Sequence, residues 1–296
     1  MAIVCFLSMN GFGPAVMLGQ IVQNLLILFP NRKCILKTPS IERHDFIKKN
    51  YCHHLCYDPN YKVTKKDIVI HIIDPRNIPT SGRDIFIDNL GDYWNYLFKH
   101  NLFQERLNLF KKGIRESDFC FLSSLTKNKT PWGDKYNKFL FVDNYITKIK
   151  KTNGSGLAII GSYKTKNAIW DKENILQSQL VFSKSRKHFS QIIAKNEIIV
   201  THPGLCSLSE SMYLNKPYIY IHPANLEQAL NTQIITKYNL GLVIQDQALS
   251  NINGLKLEYG LKKDSIIKSM LSFKKQRHIY NNKKLFDFLR GALYDL

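Results

Sequence analysis

The chain has 296 residues, with 42 Lys and Arg against 23 Asp and Glu, a net charge of +19 and 44% hydrophobic residues. That length accommodates two compact domains of ordinary size, and the hydrophobic content is that of a globular protein. No apolar run reaches the ~18 residues of a membrane-spanning helix, and no basic region or cleavage site precedes the first strand, so neither a span nor a signal peptide is expected.

The elements alternate along the chain. Ile3–Leu7 reads as a strand, Ser8–Gly13 as a loop and Pro14–Phe29 as an amphipathic core helix interrupted on one face by Gln20, Gln23 and Asn24. Further strands are predicted at Lys33–Lys37, Asp67–Ile73, Asp84–Asp88, Phe119–Ser123 and Lys138–Val142. Helices are predicted at Glu42–Asn50, Tyr93–Phe98 and Gln104–Lys112. The polar, glycine-rich stretch Lys150–Gly156 is the expected linker. Strands at Leu157–Ile160, Leu180–Phe182, Ile198–Thr201, Tyr218–Ile221 and Leu242–Ile244 build a second sheet, and the tail from Asp264 is helical. Alternating β and α predicts α/β architecture with two Rossmann-like, doubly wound parallel sheets whose ligand-binding edges face a cleft. The expected division is 1–149, a linker at 150–156, a second domain at 157–263, and C-terminal helices at 264–296 packing back on the first domain.

Six cysteines, at 5, 34, 52, 56, 120 and 206, form no disulfide framework in a chain of this size. Cys5, Cys34 and Cys120 lie in apolar runs and read as buried thiols. Cys52-His53-His54-Leu55-Cys56 lacks a second ligand pair at zinc spacing and reads as a turn. The positive charge draws a doubly charged small molecule, an anionic partner or an acidic membrane surface. Nucleic acid is the weaker reading, because the basic residues (Lys148, Lys150-Lys151, Lys262-Lys263, Lys274-Lys275, Lys283-Lys284) are scattered rather than gathered in one aromatic-interleaved stripe. Lysine-rich, Asn- and Ile-rich composition is also what an AT-rich genome produces.

The most informative segment runs from Thr201 to Asn231. Glu197–Thr201 reads as a buried parallel strand ended by Pro203 and Gly204. Glycine there lets backbone approach a ligand closely. Leu205, Leu208 and Met212 give the next helix its core face. Ser207 and Glu210, three residues apart, share another face. Ser207 falls in the first turn, where free N–H groups and the helix dipole attract phosphate. Glu210 lies one turn deeper, where a carboxylate could accept both hydroxyls of a ribose. Pro217 opens the following strand, and a second helix carries Glu227, Gln228 and Asn231.

The array His202, Gly204, Ser207, Glu210, Pro217, Glu227, Gln228 and Asn231 resembles the donor-binding signature of the UDP-glycosyltransferase superfamily with the GT-B fold. That signature is roughly His-x-Gly-x-x-Ser-x-x-Glu, then Gly-x-Pro, then Asp/Glu-Gln-x-x-Asn. Asn215 stands where glycine is usual, and asparagine also tolerates a left-handed helix end. The match spans about residues 157 to 245. It implies a metal-independent, inverting transferase that uses a UDP-sugar or another nucleoside-diphosphate sugar as co-substrate, with no further cofactor. It implies that His202, Gly204 and Ser207 hold the diphosphate, with a Gly161-Ser162 loop beside it, that Glu210 holds the ribose, and that Glu227 and Gln228 contact the sugar. It also implies that the acceptor, a small molecule or a lipid-linked one, sits on the first domain. The expected location is cytoplasmic, with loose electrostatic attachment at the inner membrane surface as a variant.

The first strand-to-helix turn, Asn10-Gly11-Phe12-Gly13-Pro14, matches the superfamily's Gly-x-Gly but has proline in place of its histidine. Proline suits a first helical position and has no titratable group. A base for the acceptor's proton is therefore sought at strand ends. Asp88 is preferred, ahead of Asp92, which could cap the helix carrying Trp94, and of His71, which sits in an apolar strand. No Asp-x-Asp pair for a metal-bound diphosphate occurs. Two alternatives stay open: a nucleotide-sugar hydrolase of the same superfamily, and a non-catalytic nucleotide-binding or scaffold protein.

Overall fold

The computed structural model describes residues 1–8, 13–38, 40–126, 136–149, 154, 156–160, 180–181, 186–279 and 281–294. Two compact units emerge, Met1–Phe139 with Ile279–Leu296, and Leu140–His278.

The first unit opens with β1 (Ala2–Leu7), α1 (Gly13–Leu28), β2 (Lys33–Leu36), α2 (Ile41–Asn50), β3 (Leu55–Tyr57), β4 (Ile68–Ile72) and β5 (Arg83–Asp88). It continues through α3 (Gly91–Lys99), α4 (Gln104–Glu116), β6 (Phe119–Ser123) and β7 (Tyr136–Asn137). The strands form one sheet in the order β3-β2-β1-β4-β5-β6-β7, and every pairing is parallel. Every residue of β1 and of β4 is buried, which is why both read as unbroken apolar runs rather than alternating ones. The order reverses at the β1–β4 pair, the place where open α/β sheets have their crevice.

Asp67 ties the start of β4 to the start of β1. It accepts from the Ala2 N–H at 2.6 Å, the Thr64 N–H at 2.8 Å, the Thr64 hydroxyl at 2.9 Å and the Tyr61 hydroxyl at 3.2 Å. Burial alone would raise this carboxyl, but the N–H groups of Thr64 and Ala2 and the two hydroxyls bring it below its ordinary value. A buried acid with four donors is satisfied rather than stranded.

The second unit runs α5 (Asn144–Thr147), β8 (Gly156–Ile160), β9 (Leu180–Val181), α6 (Arg186–Lys195), β10 (Asn196–Thr201), α7 (Leu205–Leu214) and β11 (Ile219–Tyr220). It ends with α8 (Leu226–Tyr238), β12 (Leu242–Val243), a 3-10 turn at Asp246–Ser250 and α9 (Ile252–Gln276). Its sheet is also parallel, in the order β12-β11-β10-β8-β9. Leu208 and Met212 of α7 are fully buried, each contributing about 1.5–3 kcal/mol of apolar burial. Asn215 ends α7 in the left-handed region at φ 52°, ψ 38°, the conformation that lets asparagine stand in for glycine. The Lys274 ammonium of α9 donates to the last-turn carbonyl of Met212 at 2.7 Å. Lys216 donates to the carbonyls of Ile193 and Asn196, and its burial lowers it to about 8.

The chain returns to the first unit with α10 (Lys283–Ala292). Leu285, Leu289 and Leu293 are buried there, Phe288 packs on Phe121 with ring centroids 5.1 Å apart, and the Asn282 amide donates to Gln20 Oε1 at 3.1 Å. Gln20, one of the polar interruptions of α1, is thus buried and satisfied.

Several sequence expectations differ from what is observed. The chain leaves the first unit at 139/140, ahead of the expected linker, because α5 packs on α6 and Asp143 pairs with Arg186. Of the tail, only α10 belongs to the first unit, while α9 begins at Ile252 and stays with the second. Most of Lys150–Gly156 lies outside the described residues; Gly156 itself opens β8, where a Cβ would run into the Asn196 side chain. The Cys52–Cys56 turn leads into β3, and Cys56 pairs with Ile35 of β2. The predicted strand at Lys138–Val142 forms as β7 just before it, and Leu140–Val142 instead packs as buried chain.

Candidate active site

The C-terminal ends of β10, β11 and β12 carry the polar residues of the second unit. After Thr201 the chain turns tightly, with the Gly204 N–H donating to His202 O at 2.8 Å. Gly204 is the N-cap of α7 at φ −71°, ψ 150°, and a Cβ built on it would meet no atom within 4 Å. Any residue can adopt those angles. Neither backbone nor internal packing therefore requires glycine, and the space before the helix is open. Leu205, Cys206 and Ser207 form the first turn, which contains no acidic residue. Their N–H groups precede the first intrahelical bond, made by Leu208 N to Gly204 O.

α8 braces this turn. Asn231 Nδ2 donates to Pro203 O at 2.9 Å and to Glu227 Oε1 at 3.1 Å, and the Leu205 N–H donates to the Glu227 carboxylate. Burial raises the Glu227 carboxyl. Gln228 accepts from the Ala224 N–H at 2.8 Å, while Asn225 caps α8 by accepting from the Gln228 N–H at 2.9 Å. Glu227 and Asn231 are thus bonded at the turn, while Gln228 bonds within the start of α8. The Cys206 N–H, the Ser207 N–H and the Ser207 hydroxyl complete the anion-attracting end of α7.

His202 Nδ1 is 3.1 Å from the His222 carbonyl, which can only accept, so Nδ1 holds the proton. Nε2 is buried and has no hydrogen-bond partner among the described residues. Burial lowers this imidazole below its ordinary value. Next to it His222 Nδ1 lies 2.5 Å from Asp246 Oδ2, with the His222 side chain half exposed, and the two histidine rings meet edge-on at 5.9 Å. The sequence reading missed this pair. The available signal was His222 at a strand end, but Asp246 is far away in sequence and only the β11–β12 pairing brings it near.

Glu210 is buried, and Arg186 Nη2 donates to its Oε1 at 2.7 Å. Arg186 Nε donates to Asp143 Oδ2 at 2.8 Å, and Asp143 Oδ1 accepts from the Tyr145 N–H at 2.7 Å. The Arg186 guanidinium also lies over the Phe189 ring, 4.4 Å from its centroid. Burial raises the Glu210 carboxyl, opposed by Arg186. One of the two oxygens expected to meet a ribose is therefore engaged inside the protein. Neither Arg186 nor Asp143 was singled out in the sequence, since nothing local marks either as Glu210's partner.

In the first unit, His71 is wholly buried, 2.7 Å from Asp84 through Nε2 and stacked on Phe6 at 5.0 Å. Asp88 ends β5 as expected but is wholly buried, accepting from the Leu90 N–H at 2.7 Å and Trp94 Nε1 at 3.0 Å. Asp92 does not cap α3, whose N-cap is Leu90; it accepts from the Leu125 N–H at 2.7 Å and from Thr126. Each candidate base thus has a structural partner, which gives the preference for Asp88 no geometric support. Gly13 opens α1 with Pro14 buried behind it. Gly11, Phe12, Gly161 and Ser162 lie outside the described residues. Among the described residues no group of three or more His, Cys, Asp or Glu side chains is placed to hold a metal ion.

No family model and no curated protein matches this chain. Solved structures do, and the chain is similar over nearly its whole length to glycosyltransferases. The glycosyltransferase SnogD from Streptomyces nogalater matches at 12% identity with a TM-score of 0.58, over 98% of this chain and 99% of that one. MurG from Acinetobacter baumannii matches at 9% identity and 0.57, over 98% and 100%. CalG4, the calicheamicin glycosyltransferase, matches at 9% identity and 0.58, over 99% and 98%. The fold is that of the GT-B glycosyltransferases: two α/β units, each built on a parallel sheet.

Proposed function

We propose that this chain is a glycosyltransferase that takes a sugar from a nucleoside-diphosphate donor, with UDP as the leading nucleotide, by inversion and without metal. The observation that carries the reading is the open space at Gly204, before a helix start whose Cys206 and Ser207 N–H groups point out of the helix. The diphosphate sits there, held by those N–H groups and the Ser207 hydroxyl, which stabilise the departing charge as a metal would elsewhere. Glu210 offers its remaining oxygen to the ribose. Glu227 and Gln228 shape the sugar side. The acceptor, a small molecule or a lipid-linked one, remains assigned to the first unit.

Calorimetry with UDP, TDP, GDP and their sugars in EDTA tests the proposal. Saturable binding of one nucleotide is expected, weakened by Ser207→Ala by about 1.5–3 kcal/mol, the value of a hydrogen bond to a charged group. No binding by any of them would sink it. A second reading, binding without turnover, has one observation in its favour: His71, Asp88 and Asp92 are all engaged by protein groups and Pro14 cannot titrate. Nucleotide release from the bound sugar donor, measured with and without candidate acceptors, separates the two.

No described helix is long and apolar enough to cross a membrane. For peripheral attachment we favour the turn between α3 and α4. Phe98, Leu102 and Phe103 are exposed there, Arg106 lies over the Phe103 ring at 5.3 Å and Lys111 over Phe98 at 5.6 Å. Aromatic residues with flanking cations suit an anionic bilayer surface. Sedimentation with anionic vesicles, salt-sensitive and reduced in Phe103→Asn, is expected. Asparagine tolerates the left-handed φ of 48° at that position, so folding is spared; equal sedimentation of the variant would remove the assignment.

A further inference from the structure

We infer that His222, oriented by Asp246, is a further diphosphate contact of the donor site, supplying a proton-dependent positive charge beside the N-terminus of α7. The inference rests on the donor reading above and adds a residue that the signature does not contain.

Three observations support it. The first is position. His222 lies two residues after β11, at the same sheet edge as His202 after β10 and Asp246 after β12, so three adjacent strand ends converge on it. The second is orientation. Asp246 Oδ2 lies 2.5 Å from His222 Nδ1, which fixes the proton on that nitrogen and turns Nε2 away from the carboxylate, on a side chain 50% exposed. The third is its coupling to the turn. The His222 carbonyl accepts the His202 Nδ1 proton at 3.1 Å, and the edge-on rings lie 5.9 Å apart, so the two imidazoles form one wall of the turn that leads to Gly204.

The first turn of α7 carries no basic residue, and the Arg186 guanidinium is engaged with Glu210 and Asp143. His202 presents no cation near neutrality, because burial favours its uncharged form. His222 is the exposed histidine of this pair. When protonated it donates Nε2–H to a non-bridging diphosphate oxygen, a charge-assisted bond of the stronger kind. Among the described residues the titratable groups facing it are Asp246 from the 3-10 turn and His202 from the end of β10.

The sign follows. A contact made by an imidazolium is lost with its proton, so affinity for a diphosphate falls as pH rises. A sugar nucleotide is the right probe, since its diphosphate is esterified at both ends and does not titrate near neutrality. Whichever of UDP-, TDP- and GDP-glucose binds is titrated by calorimetry at pH 6 and pH 8. The wild-type chain is expected to bind about tenfold more weakly at pH 8, the loss of one charge-assisted contact. His222→Gln should bind weakly at both values with the slope removed. His222→Lys, which keeps a cation throughout, should bind tightly at both. Thermal melting of each variant checks that the unit is folded. An unchanged pH slope in His222→Gln, or no slope in the wild type, overturns the inference and leaves the donor reading standing. Failure of every sugar nucleotide to bind at either pH overturns both.

Discussion

Arg186→Met is expected to destabilise the second unit by about 3–5 kcal/mol, the cost of leaving buried charge uncompensated. Arg186 bridges Asp143 at 2.8 Å and Glu210 at 2.7 Å, and the two carboxylates are almost wholly buried. Methionine fills much the same volume but leaves both acids without their cation. Glu210, on α7, also opposes the ionisation of the buried Tyr218 hydroxyl, and among the described residues Arg186 is the charged neighbour that lowers it. Hydrogen exchange read on peptides from β10 and α7 reports the opening of this unit separately from the first. Faster exchange there, with β1 and β4 unchanged, is the expected pattern. Glu210→Gln added to Arg186→Met should recover part of the loss, because a neutral amide costs less to bury than an unpaired carboxylate. If Arg186→Met exchanges like the wild type, the trio contributes nothing to stability and Glu210 is free to serve a ligand alone.

Gly204→Val separates folding from binding in the opposite way. Its φ of −71° and ψ of 150° suit a β-branched residue, and nothing lies within 4 Å of the added Cβ. The stability change should stay within about 1 kcal/mol, the difference between glycine and an apolar residue at an N-cap. On the proposed donor reading, affinity should fall on the order of 10- to 100-fold, because the isopropyl group would stand where that diphosphate is assigned, against the Cys206 and Ser207 N–H groups, and each charged hydrogen bond lost costs about 1.5–3 kcal/mol. Thermal melting and calorimetry on the same preparation check both halves. A variant that melts like the wild type and binds like it would move the diphosphate away from α7.

Much of the fold was legible because local chemistry and global architecture agree. β1, β4 and β10 are short apolar runs with polar ends, and no other element fits such a run inside an alternating β/α chain. Asn215 marked the end of α7 because asparagine tolerates positive φ. The end of α6 and the start of β10 are continuous, and Lys195 passes straight into Asn196. Periodicity failed at β3, a three-residue strand, too short to display a period. It failed again at Leu140–Val142, whose apolar character reflects burial without strand pairing.

The site divides along the same line. The turn and helix that present Gly204, Cys206 and Ser207 were readable along the chain, because spacing within one strand-turn-helix unit is a local property. So were Glu227, Gln228 and Asn231 at one helix start, where their order along the chain sets their order in space. The bonding partner of each side chain, by contrast, depends on the packing of distant elements. Glu210 meets Arg186 and Asp143 because β8, β10 and α6 are neighbours, and His222 meets Asp246 because β11 and β12 pair. Asp88 holds Trp94 rather than open space because α3 folds back over the end of β5. Buried polar groups take partners from wherever the packing brings one, and that choice is set by contacts across the sheet, which spacing along the chain does not record.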